Sequence, residues 1–172
     1  MFNFLKKLFT QKKIIKIITA IDDNNGIGIN GDLLYKIPAD MQHFVEKTGT
    51  DTVIMRSGTF ESFGGKPLPR RQNIVISRRD DYDGNGAVVV KTLGEALIES
   101  TSKTVWIIGG AGLYVEALPI CDEIEVTQIF GARSADTFFP EFKNDFELIK
   151  KSDKEFDDKN NVWFEFQTWK KK

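Results

Sequence analysis

At 172 residues the chain is long enough for one domain with a substantial core. Its 41% hydrophobic and 28% charged residues are ordinary for a globular protein, and 24 basic against 25 acidic residues leave a net charge of −1, so no overall field draws it to nucleic acid. The single cysteine, Cys121, excludes an internal disulfide, and with only one histidine, His43, it excludes a Cys/His zinc site.

The N-terminus, MFNFLKKLFTQKK, is basic and partly amphipathic. Its apolar runs, broken by Lys6 and Lys7, are too short to span a bilayer, and it lacks the apolar core and cleavage site of a secretory signal. It reads as a mobile basic extension over residues 1–12, outside a single domain over residues 13–172. A cytoplasmic protein without stable membrane association is expected.

Ile14 to Ile21 (IIKIITAI) is a β-branched apolar run, the pattern of a strand covered on both faces. A glycine-containing loop, Gly26 to Gly31, and a short apolar turn lead to Pro38, which suits the first position of a helix. Met41, Phe44 and Val45 recur at helical spacing, and Asp40, four residues before Phe44, shares the edge of their face. A carboxylate turned toward an apolar face loses hydration and needs a partner. None stands nearby in the sequence, so a ligand is a candidate. An acid in a first helical turn also simply complements the helix dipole, and both readings stand at this point. His43 follows Gln42 on the presumed polar side and reads as a surface residue.

Thr52 to Met55 is a second strand, followed by Ser57, Gly58 and Thr59, which suit the cap of a helix reaching Ser62. The loop GGKPLPRR, Gly64 to Arg71, precedes a strand from Asn73 to Ser77, and the turn DDYDGNG precedes another from Ala87 to Val90. Leu93 to Ser100 reads as a short helix and Thr104 to Ile108 (TVWII) as a buried strand. That strand runs into Gly109, Gly110, Ala111 and Gly112, and then a helix carries Leu113, Tyr114, Ala117 and Leu118 to a stop at Pro119. Glu123 to Phe130 alternates as a strand, and Phe146 to Lys150 with Val162 to Trp169 forms a closing hairpin. The whole predicts an α/β fold: a mostly parallel central sheet of about eight strands with helices on both faces and an antiparallel C-terminal hairpin.

Ligands of such sheets bind beyond the carboxyl ends of the strands. Three ends here favour anions: the GGAG run after Ile108, Ser57 to Thr59 beside Arg56, and Ser77 with Arg78 and Arg79. Each alone is a weak signal, and GGAG is not the G-x-G-x-x-G fingerprint. Three together suggest a ligand with several phosphates, a count that a dinucleotide fits.

Taken in order from about Ile14 to Trp169, the segments IGINGDLLYKIPADMQHF, TFESFGGKPLPRRQNIVIS, WIIGGAGLY and ADTFFP resemble the dihydrofolate reductases of the bacterial type. The resemblance implies an NADPH cofactor, dihydrofolate as substrate, no nucleic-acid partner and a monomer. It implies hydride transfer to C6 of the pterin with N5 protonation assisted by Asp40, which would hold the 2-amino group and ring nitrogen. Tyr35 and Thr127 would support Asp40, the first through nearby water and the second by a hydrogen bond. Met41, Phe44, Leu68 and Phe63 would line the apolar wall, Arg71 would clamp the glutamate tail, and the region of Ile18, Ile108 and Tyr114 would meet the pterin. Ala20, Ile27 and the loop to Asp32 would close over the nicotinamide. Ser57, Gly58, Thr59, Ser77, Arg78, Lys91, Gly109, Gly110, Ala111, Gly112, Leu113 and Tyr114 would hold the rest of NADPH.

Two departures from the family pattern stand out. Leu34 and Tyr35 replace the usual proline and tryptophan before the helix. At the second strand end the usual glycine, basic residue, variable residue and threonine become Arg56, Ser57, Gly58 and Thr59, which shifts the 2′-phosphate role toward Arg78, together with Arg56. Two alternatives remain at this level. A pyrimidine-nucleotide reductase of the related fold should lack the IPAD carboxylate and the Arg71 clamp. A non-catalytic nucleotide-binding paralogue draws support from the altered Arg56–Gly58 stretch, and cofactor binding without turnover would identify it.

Overall fold

The computed structural model describes residues 12–172; the expected basic extension therefore lies, apart from Lys12, outside the described residues. In chain order the elements are β1 (Ile14–Ile21), β2 (Gly26–Ile29), β3 (Asp32–Leu33), α1 (Pro38–Thr48), β4 (Thr52–Arg56), α2 (Ser57–Ser62), β5 (Asn73–Ile76) and β6 (Val88–Val90). They continue with α3 (Leu93–Glu99), β7 (Thr104–Gly109), α4 (Ala111–Ala117), a 3-10 turn (Leu118–Ile120), β8 (Glu123–Phe130), β9 (Thr137–Phe138), β10 (Phe146–Lys151), β11 (Glu155–Asp157) and β12 (Val162–Lys171). Among these, no helix is long and apolar enough to cross a membrane.

The main sheet runs β10-β12-β8-β1-β7-β4-β5-β6, with β11 added against β12. Pairings from β8 through β6 are parallel, and those made by β12 are antiparallel. Strand alternation distributes the core. Val105 and Ile107 of β7, Ile54 of β4 and Ile74 and Ile76 of β5 face one side, where Leu93 and Ala96 of α3 and Leu113 and Ala117 of α4 cover them. Trp106 and Ile108, Val53 and Met55, and Val75 face the other side, against Phe44 of α1 and Phe60 and Phe63 around α2. Both faces are covered, so the inner strands read as continuous apolar runs.

Helix α1 starts where expected. Pro38 fills the first turn after an extended Ile37, and Gly49 ends the helix with its amide donating to the Val45 carbonyl. Two expectations need refinement. The closing hairpin contains a third strand, β11, within its turn, and β10 bulges between Leu148 and Lys150. The helix after GGAG begins at Ala111 and tightens into a 3-10 turn around Pro119, since proline supplies no amide to continue it.

A small second sheet, β3-β2-β9, goes beyond what the sequence pattern predicts. Its strands β2, β3 and β9 have four, two and two residues, too short for any periodicity to register. It joins the glycine loop to Thr137 and Phe138, far along the chain, through Gly26↔Phe138 and Gly28↔Thr137. Asp22, at the root of this loop and 1% exposed, organises it. Its carboxylate accepts from the amides of Asn24 (3.0 Å), Gly26 (2.9 Å) and Arg133 (3.1 Å) and from the Tyr35 hydroxyl (3.3 Å). Asp22→Ala leaves these donors unmet and is expected to lower stability by about 2–4 kcal/mol, with Asp22→Asn recovering part of it. An unchanged urea midpoint for the alanine variant would refute this assignment.

Candidate active site

Beyond the carboxyl ends of β1, β7 and β4 the structure opens a cleft of ≈ 430 Å³, within the range of small-molecule sites. Ile18 of β1 and Ile108 of β7, on adjacent strands, lie on its floor, and Met41 and Phe44 of α1 with Phe63 and Leu68 line its sides. Ala20, Ile27 and Tyr35 border it from the loop side, while Gly58, Thr59, Gly109, Gly110 and Ala111 line the end over β4 and β7. All of these expected residues, together with Asp40 and Tyr114, are brought to one cavity. Thr19, Leu33, Ser62 and Thr137 also line it, and the sequence pattern singles out none of them. Leu33 is an apolar residue left 47% exposed in the short β3 before α1, beside the buried Leu34, and Thr137 arrives through the small sheet.

Asp40 projects from the first turn of α1 into this apolar setting. Thr127, on β8 and paired with Ala20 of β1, stands behind it and donates its hydroxyl to Asp40 Oδ1 at 2.6 Å. Burial pushes the Asp40 carboxyl above the usual carboxylate range, opposed by the Thr127 hydrogen bond and, to a lesser degree, by the nearby His43. No salt bridge reaches Asp40 among the described residues. Its partner is a hydroxyl, and the remaining lone pairs face the cleft side of the helix.

His43 overturns its expected place at the surface. It does not lie on the solvent side: its ring stacks on Phe166 with centroids 3.9 Å apart, and Nε2 stands 3.8 Å from Glu125 Oε2. The cause is sheet order, which sets β12 beside β8 and so brings Phe166 and Glu125 to α1. Glu125 is itself buried. Burial alone would raise its pKa, but the approach of His43, the Lys47 ammonium at 3.1 Å and the Thr168 hydroxyl at 3.1 Å together hold it below the usual range.

Tyr35 is buried beneath the Arg133 guanidinium, 4.3 Å from its ring, and its hydroxyl donates to Asp22, not to Asp40. Burial first, and then the Asp22 charge, raise its pKa. The Tyr114 hydroxyl donates to the Ile18 carbonyl at 3.1 Å, and burial drives its pKa far above the ordinary tyrosine value, so it stays protonated. Ile18 thus has one of its two carbonyl lone pairs engaged within the protein.

Other expected residues lie around the cleft. Arg71 is held by three contacts: Nε to Thr48 Oγ1 (2.9 Å), Nη1 to the Pro69 carbonyl (2.7 Å) and Nη2 to the Val45 carbonyl (3.1 Å). Five N–H donors less three leaves one on each terminal nitrogen, a pair suited to a carboxylate. Ser77 is buried at the end of β5, while Arg78 beside it is exposed and without an ion pair among the described residues. Lys91 is engaged by the carbonyls of Arg78 and Arg79 and by Asp80. Leu113 departs from expectation, because its side chain is fully buried in the core beneath α4 and is unavailable to a cofactor. The reason is helical phase: Leu113 and Ala117, four apart, form the stripe that α4 packs on the sheet.

The β4–β7 end fits a dinucleotide. At Gly58 and Gly112 an added Cβ would enter open space, leaving room for a ligand to approach the backbone. Ser57 opens α2 there, and the exposed Arg78, without an ion pair among the described residues, follows the end of β5.

Comparison with known proteins agrees with this geometry. The dihydrofolate reductase family profile matches residues 14–171. The type 3 dihydrofolate reductase of Salmonella typhimurium is 38% identical over 157 residues, covering 90% of this chain and 96% of that protein. The dihydrofolate reductase of Bacillus subtilis (strain 168) is 36% identical over 161 residues, covering 92% and 95%. Among solved structures, the Enterococcus faecalis dihydrofolate reductase complexed with NADP(H) and RAB-propyl superposes with a TM-score of 0.85 at 31% identity, covering 93% of this chain and 97% of that one. With a carboxylate seated in an apolar cleft, glycines bordering its far end and this likeness along nearly the whole chain, the protein belongs to the dihydrofolate reductase family.

Proposed function

We propose that Asp40 anchors the pterin in the reaction this chain carries out, the NADPH-dependent reduction of 7,8-dihydrofolate to 5,6,7,8-tetrahydrofolate. The observation that carries the assignment is the half-buried Asp40 carboxylate, hydrogen-bonded by Thr127 at 2.6 Å and otherwise facing an apolar cleft. The 2-amino group and adjacent ring nitrogen of a pterin offer two donors to one carboxylate, a bidentate match. Thr127 holds the carboxylate in that orientation. Ile18, Ile108, Met41, Phe44, Phe63 and Leu68 supply the dry walls, and Arg71 turns its two remaining donors to the carboxylate of the substrate tail. When bound, NADPH supplies the hydride for C6. Asp40 lies at the far edge of the pterin from N5, so water passing Tyr35 donates the proton, and the Asp40 charge favours its arrival.

Oxidation of NADPH by the purified protein, followed by absorbance with and without dihydrofolate, tests this directly. Dihydrofolate-dependent consumption is the expected outcome, and NADPH binding without turnover would overturn it. Arg78, exposed and unpaired, is read as the 2′-phosphate ligand. Arg78→Ala should lower the NADPH-to-NADH ratio of kcat/KM by about tenfold, the value of one lost charge-assisted contact, and an unaltered ratio would sink the assignment. We further read the protein as a cytoplasmic monomer without a nucleic-acid partner. The near-balanced charge supports the last point.

A further inference from the structure

Arg56 is the one strongly basic side chain among the described residues lining the cleft, and it stands where the family pattern has glycine. It ends β4, on the same strand face as the buried Ile54, and its Nη2 pairs with Glu116 Oε1 of α4. Its Nε is buried and finds no hydrogen-bond acceptor among the described residues. Of five donors, one is used on Glu116 and one is stranded, so the guanidinium is incompletely satisfied at the edge of a cavity. Sheet order locates it further. β4 lies between β7, which carries Gly109, and β5, whose end carries Ser77 and Arg78. A dinucleotide reaching from the glycines over β7 to Arg78 beyond β5 must cross β4 between its two nucleosides, which is where its pyrophosphate lies.

We propose that Arg56 is the pyrophosphate ligand of this chain and that Glu116 is a built-in competitor for it, holding the guanidinium in the free protein and yielding it to the cofactor. This rests on reading the cleft as the NADPH site. Two basic residues then have separate roles. Arg56 serves the phosphates common to NADPH and NADH, and Arg78 serves the one that distinguishes them. A carboxylate beside an arginine lowers the net attraction for an incoming anion, so Glu116 sets affinity downward without affecting the choice of cofactor.

The test is equilibrium titration of NADPH and NADH by fluorescence, on the full chain, for the wild type, Arg56→Gln and Glu116→Gln, with Tm recorded for each. Arg56→Gln should weaken both cofactors by about tenfold with their ratio preserved. Glu116→Gln, which leaves Arg56 in place, should tighten both several-fold. The proposal is overturned if Arg56→Gln changes NADPH alone, if it changes neither, or if Glu116→Gln weakens binding, since Glu116 would then be needed to position Arg56. Should Arg56→Gln fail to fold, the sign of the Glu116→Gln effect decides. Absence of NADPH binding by the wild type would overturn both this proposal and the reading of the cleft, whereas wild-type binding with unresponsive variants would overturn this proposal only.

Discussion

Asp40→Asn is expected to retain NADPH binding while losing about 10²- to 10⁴-fold in turnover at neutral pH, the range associated with losing a charged acid–base group. The carboxamide is nearly isosteric, so the cleft keeps its shape, but its chemistry inverts. The Thr127 hydroxyl continues to donate to the one remaining oxygen, which turns the –NH2 group toward a substrate edge that itself consists of donors. Two donors then face each other where a bidentate pair stood, and no negative charge favours proton arrival at N5. Activity should recover in part at low pH, where the substrate is already protonated. Full activity of the variant at neutral pH would refute the role of Asp40.

The same substitution has a stability consequence of definite sign. Burial raises the Asp40 pKa in the folded protein above its unfolded value, so the folded state binds a proton more tightly. Its favourable contribution is full below the unfolded value and is lost as pH rises through the raised folded value. At neutral pH the ionised group therefore opposes folding, and Asp40→Asn should raise Tm there. The gain should vanish below about pH 4, where wild-type Asp40 is protonated in both states. A variant less stable than wild type at pH 7 would show that the Thr127 hydrogen bond outweighs desolvation.

Gly109→Ala should damage both stability and cofactor binding. Gly109 has φ +137, a backbone region that an L side chain rarely enters, and its added Cβ would stand 2.9 Å from Thr59 Oγ1 and 3.3 Å from Thr59 Cγ2. Strained backbone and a forced contact together should cost about 2–4 kcal/mol, lowering Tm by roughly 4–16 °C for a chain of this size. NADPH affinity should fall further than stability suggests, because Thr59, Gly109 and Gly110 border the same end of the cleft. Thr59→Ala in the Gly109→Ala background separates the causes. It removes the clash and should restore part of the stability, but it leaves the backbone strain. An alanine variant with unchanged Tm and unchanged NADPH affinity would overturn the reading.

Much of this is legible in the chain itself. The alternation of β1, β4 and β7, the start of α1 at Pro38 and the glycines after Ile108 are local matters: burial, a missing amide and a missing Cβ act within a few residues of one another. Asp40 is conspicuous because a carboxylate shares the edge of an apolar helical face without a sequence neighbour to neutralise it. What periodicity conveys is which way a side chain points; it is silent about what meets it there. Thr127, 87 positions from Asp40, reaches it only because β8 lies beside β1. His43 is covered because β12 follows β8 in the sheet and sets Phe166 against its ring, an outcome that no property of the helix alone requires. The small sheet that brings Thr137 to the cleft has strands too short to announce themselves, and Arg56 finds Glu116 across two elements. Elements, their faces and the acid of the site thus follow from local chemistry along the chain. The order in which the strands assemble chooses the partners of that acid, because contact between distant residues depends on the neighbours a sheet assigns and not on the spacing of the chain.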